Sequence, residues 1–251
     1  MNRQRTLLII LSAMLFGGPR GAAFQDEWRL TTTDHFDITF RTIGTADLQR
    51  IARSAERAYQ HVGAALMHEL SLRPLIVVYQ TRGDLDRAIA SRSFPGNREH
   101  MLWALDTPAA EADGTFVHEL THVFAFDIVP VSVRRDLPGW LQEGLAEFER
   151  GEWTDADLGI VRGLLRTNTF PTLTAFPRAD SDETTRLQRI VGHLAVDFLV
   201  ARAGQDIVKP LLLSLRENVS SPIEAYLAAA ELSAADFDRA FARYARDRFA
   251  A

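Results

Sequence analysis

The chain has 251 residues, 47% of them hydrophobic, with a formal net charge of −5 from 28 Lys and Arg against 33 Asp and Glu. That length can close a sizeable core, and the charge balance argues against nucleic acid as a partner, since there is no excess of cations to neutralise phosphates. Cysteine is absent, which excludes disulfides, thiolate metal ligands and a cysteine nucleophile, so any metal site must use His, Asp and Glu.

The N-terminus reads as an export signal. Asn2-Arg3-Gln4-Arg5 is a basic n-region, Leu7 to Phe16 an apolar run, and Gly21-Ala22-Ala23 offers the small residues of a cleavage site. The apolar run is short for a bilayer span, which needs roughly twenty residues. Residues 1–23 are therefore expected to be a signal peptide, with an uncleaved membrane anchor as the alternative. Residues 24–251 are expected to be periplasmic or secreted. Within them, 24–150 should hold a sheet and the metal-site helices, and 151–251 a helical subdomain.

Alternation in Phe36-Asp37-Ile38-Thr39-Phe40 is the mark of a half-buried strand. Residues 46–70 carry apolar side chains at helical spacing, and Leu75 to Tyr79 form a short buried strand after Pro74. A helix over 84–92 starts at Asp84, Phe94-Pro95-Gly96-Asn97 is turn chemistry, and residues 100–105 form another strand. Residues 108–127 are helical, with Gly114 weakening the start so that the helix could begin only near Asp113. Asp136 is a candidate N-cap, Pro138 opens a helix running to Arg150, and Gly151 stops it. Helices are expected over 155–166, 184–203, 205–217 and 233–248, with a polar loop at 167–183. The fold class is α+β: a mixed sheet backed by helices, then a mostly helical C-terminal half.

The chemistry sits in His118-Glu119-Leu120-Thr121-His122. Residues four apart share a helix face, so both imidazoles can bind one zinc ion, and Glu119 is placed to act as general base towards water. The surrounding Phe116, Val117, Leu120, Val123, Phe124 and Phe126 imply a buried helix, and buried neutral histidines need partners. Catalytic zinc keeps three protein ligands, and Glu143 in Trp140-Leu141-Gln142-Glu143-Gly144-Leu145-Ala146-Glu147 is the third candidate. One turn on, Glu147 is expected to hold the far nitrogen of a ligand histidine, or to be an ordinary solvated residue. His35, His61, His68 and His100 show no ligand spacing and read as surface or structural positions. No Gly-rich phosphate loop, serine elbow or basic stripe is present.

Together the HExxH string and the Trp140–Ala146 segment resemble the gluzincin metallopeptidases, most of all the bacterial peptidase MA-like family, and more distantly aminopeptidase N and thermolysin. The resemblance covers residues 36–150 well and the C-terminal helices loosely. It implies a zincin-like fold, Zn2+ held by His118, His122 and Glu143, Glu119 as base, Glu147 as outer acid, and a peptide or protein substrate. One departure is the missing tyrosine on the helix around 187–200, where the family would place an oxyanion donor. His193 is the candidate substitute, with Arg189 a second cationic donor; a partly buried structural histidine is the other reading. Residues 100–105 could serve as an edge strand for an extended peptide, or Met101, Leu102 and Trp103 could be plain core. Trp140, Phe170 and Phe176 are candidate pocket residues. A zinc-binding domain without catalysis, acting as a peptide-binding or assembly module, is the rival reading.

Overall fold

The computed structural model describes residues 28–92, 100–129, 134, 137–174, 176, 181–214, 224, 227 and 232–249. The export signal, the 94–97 turn, Asp136 as N-cap and the 215–217 end of an expected helix lie outside the described residues. The class is α+β, with a four-stranded mixed sheet and most described residues in helices. Two compact units divide the chain, residues 1–61 with 70–123 and residues 62–69 with 124–251, the boundaries at 61/62 and 123/124 falling inside helices. Among the described residues no helix is long and apolar enough to cross a membrane.

The first unit holds the sheet, in the order β1 (Arg29–Thr32), β2 (Asp37–Phe40), β3 (Leu75–Tyr79), β4 (His100–Ala104). β1 pairs antiparallel with β2, and β2, β3 and β4 run parallel. Parallel neighbours need a crossover, supplied by α1 (Thr45–Leu66) and α2 (Arg82–Ser91). β1 is an addition to the sequence reading: Arg-Leu-Thr-Thr has no apolar alternation, and as an edge strand it stays largely exposed.

β1 and β3 flank β2 on either side, so Asp37 to Phe40 are all buried and not half-buried as their alternation suggests. The two polar residues are accommodated individually. Thr39 Oγ1 donates to the Arg29 carbonyl at 3.0 Å, and Asp37 lies 3.8 Å from the Arg73 guanidinium. Leu75, Val77, Tyr79, Leu85 and Leu102 close the core on one side of the sheet.

α1 ends earlier than its apolar spacing suggests, because Met67 takes a left-handed φ of 48°. α2 begins at Arg82, two residues before Asp84. Thr81 caps it by accepting from the Asp84 N–H, and the Asp84 carboxylate accepts from the Thr81 N–H in return. Asp84 is thus the third residue of the helix, not its start. α3 spans Ala109–Ile128, so Gly114 is carried inside it.

In the second unit lie α4 (Gly139–Arg150), α5 (Asp155–Arg166), α6 (Asp182–Ala203), α7 (Val208–Ser214) and α8 (Ala234–Phe249). Gly151, at φ 75°, closes α4. α4 and α6 approach so closely that a Cβ on Gly144 would lie 2.2 Å from the Gly192 carbonyl carbon, and one on Gly192 2.2 Å from the Trp140 oxygen. Leu141 and Leu145 on α4 and Val191 and Leu194 on α6, close in sequence to the two glycines, are buried.

Gly192→Ala is expected to destabilise the protein by about 3 kcal/mol, the upper part of the overpacking range. Gly159→Ala, in α5 with nothing within 4 Å of its added carbon, should stabilise by roughly 0.5 kcal/mol. Urea unfolding of both variants beside the wild type checks the contrast.

Candidate metal centre

α3 is buried nearly all round. Phe116, Leu120, Val123, Phe124 and Ile128 are core, and Phe116 stacks on Trp103 with ring centroids 4.2 Å apart. The polar residues of the same turns are buried too: His118 5%, Glu119 5%, Thr121 0% and His122 8% exposed. Thr121 satisfies its hydroxyl on the Val117 carbonyl at 2.7 Å, one turn back.

The two imidazoles meet through the same atom. His118 Nε2 and His122 Nε2 are 3.2 Å apart, with the rings at 82° to one another. Two ring nitrogens that face each other share one proton or one cation. Tetrahedral zinc with Zn–N of about 2.0–2.1 Å sets two ligand nitrogens about 3.3–3.4 Å apart, which this pair matches.

Glu143 and Glu147 lie one turn apart on α4. The Arg189 guanidinium of α6 meets both, with Nε 3.5 Å from Glu143 Oε2 and Nη2 2.5 Å from Glu147 Oε1. Glu147 also has Arg150 at 3.6 Å. Ligand atoms of His118, His122 and Glu143 all lie within 4.8 Å of one another. Two imidazole nitrogens and a carboxylate oxygen are a donor set suited to zinc.

Glu147 is thus engaged by guanidinium groups. His193 is buried on α6, stacked on Trp153 at 4.1 Å with Phe148 edge-on. Burial holds its pKa down at about 4, against the opposing pull of Glu147 and Asp197. Near neutral pH its ring is uncharged, so it presents no cation there. Phe170 packs on Phe241 of α8 at 5.1 Å, and Trp140 is buried.

β4 is a terminal strand of the sheet among the described residues, yet Met101, Leu102 and Trp103 are all buried, so these three side chains are core.

Two other histidines have carboxylate partners that sequence spacing did not reveal. His35 Nδ1 lies 2.6 Å from Glu56, and His68 Nε2 2.8 Å from Asp127. Burial pushes the Glu56 carboxyl up, but hydrogen bonds from His35 and Thr33 outweigh it and hold the group below its ordinary value. These pairs join residues 21 and 59 positions apart, a separation at which no local pattern exists.

Neither a scan against models of protein families nor a search of curated protein sequences finds a match to this chain.

His193 gives the fold a pH dependence of defined sign. The folded ring has a pKa near 4 and an unfolded one about 6.5, so between these values the unfolded chain binds more protons. Stability should be full above about pH 6.5 and fall by about 3 kcal/mol towards pH 4 from this group. Comparing urea unfolding of wild type and His193→Gln across that range checks it: the variant should lose that part of the slope.

Proposed function

We propose that the protein is a zinc-dependent metallopeptidase of zincin-like design, with His118, His122 and Glu143 as ligands and Glu119 as general base. The observation that carries this reading is the buried His118–His122 pair, its Nε2 atoms 3.2 Å apart, in the HExxH register. The nearness of Glu143 supplies the third ligand that catalytic zinc requires. When bound, zinc supplies Lewis acidity, which polarises a carbonyl and makes water a stronger acid.

The protein's own groups do the rest. α3 holds both imidazoles on one face and leaves Glu119 about 100° round the helix, adjacent to but outside the ligand set. Its carboxylate takes a proton from the attacking water and returns it to the leaving amine, the two transfers that amide hydrolysis needs. Burial of Glu119 in a helix already excluded from solvent keeps competing water away from that carboxylate. Peptides are the substrate class the resemblance to gluzincins implies.

Zinc content of the purified protein should be about one per chain, and Glu143→Ala should lose or weaken it. Glu119→Gln should keep the zinc and lose cleavage of a denatured protein substrate by at least roughly 100-fold, the lower bound for removing a general base. A wild-type chain that takes up no zinc on reconstitution sinks the reading. Zinc uptake without cleavage that depends on Glu119 would leave a metal-binding module in place of an enzyme.

A further inference from the structure

The carboxylate arm of the site carries a guanidinium that the sequence placed only as a second oxyanion donor. Arg189 reaches α4 from α6 across the Gly144–Gly192 contact, where the two backbones touch. It presents one edge, Nε and Nη2, to two carboxylates on successive turns. Unaided, like charges four residues apart on a helix repel one another, and more strongly in a half-buried seam than in water. A planar guanidinium between them cancels that repulsion and restricts both side chains to rotamers that keep it in reach.

The two contacts are unequal. Nη2 is 2.5 Å from Glu147, a short charge-assisted bond, whereas Nε is 3.5 Å from Glu143. Arg189 is therefore anchored on Glu147 and leans on Glu143.

We propose that Arg189 is a positioning residue of the metal centre: anchored by Glu147, it orients Glu143, so that Glu147 acts on the metal through Arg189. The proposal rests on the reading of His118, His122 and Glu143 as a zinc site. It assigns to Glu147 a role towards the carboxylate ligand, different from the histidine contact that its spacing first suggests.

Zinc affinity, measured by competition with a chromogenic chelator, tests it without reference to catalysis. Arg189→Met should bind zinc about 10–100-fold more weakly, the range for loss of an orienting partner. Glu147→Gln should weaken binding through the same link. The double variant should be no weaker than the worse single variant, because both changes break one chain of contacts. Arg189→Lys, which keeps the charge but not the fork, should recover only part of the loss, and it serves if Arg189→Met fails to fold. With Co2+ in place of zinc, the visible d–d bands should shift in Arg189→Met, while thermal melts check that each variant is folded.

Unchanged or tighter zinc binding in Arg189→Met overturns the proposal, as do additive losses in the double variant or complete recovery with lysine. In each of these cases the wild type still binds zinc, and the metal-site reading stands. A wild-type chain that binds no zinc overturns both together.

Discussion

Two imidazoles turned nitrogen to nitrogen inside a buried helix are the constraint around which the site is arranged. A buried polar group without a partner costs roughly 1–3 kcal/mol, and α3 buries His118, Glu119, Thr121 and His122 within two turns. Thr121 solves its own case on the backbone. The histidines turn to one another instead, helical periodicity aiming both Nε2 atoms at one point 3.2 Å across. That point suits a positive charge, a shared proton or a metal ion, and the last is the reading proposed above.

Within each unit, separate contacts hold its own candidate residues in place. In the first, the parallel strands β2 to β4 and the Trp103–Phe116 stack fix α3 along its N-terminal half. In the second, the Gly144–Gly192 contact brings α6 close enough for Arg189 to span Glu143 and Glu147. His193, one turn beyond Arg189, is locked between Trp153 and Phe148 and kept neutral by burial. Rigid surroundings matter here because a metal site binds in proportion to how well its ligands are held before the ion arrives.

Much of this was legible in the sequence, and the reasons differ by element. Leu75–Tyr79 is a dense β-branched run after a proline, and Asp155–Arg166 starts at a Thr154–Asp157 capping box, so local chemistry marks both. The HExxH register is legible because helix geometry is periodic. β1 was not, since an exposed edge strand needs no apolar pattern and is held by the neighbour it pairs with. The end of α1 was not, because Met67 adopts a left-handed conformation without being glycine. The Gly144–Gly192 contact and the partners of Arg189, His35 and His68 depend on chain segments meeting in space, which no local spacing encodes.

These differences separate the two halves of the candidate site physically. Its nitrogen donors sit on successive turns of one helix, so their spacing depends on local geometry and the two histidine rotamers. The carboxylate donor depends on more. On the positioning role proposed for Arg189, Glu143 takes its orientation from a guanidinium that reaches it only because α6 lies against α4, at two positions with no side chain. A Cβ at either glycine cannot be absorbed by a flexible neighbour, because the atoms it meets are backbone. Glu143, the proposed third ligand, is therefore the part of the candidate site most exposed to changes far from it, through a path of named contacts: Gly192 to Gly144, Arg189 to Glu147, Arg189 to Glu143. Strain at the glycine seam would loosen the carboxylate first and leave the histidine pair intact.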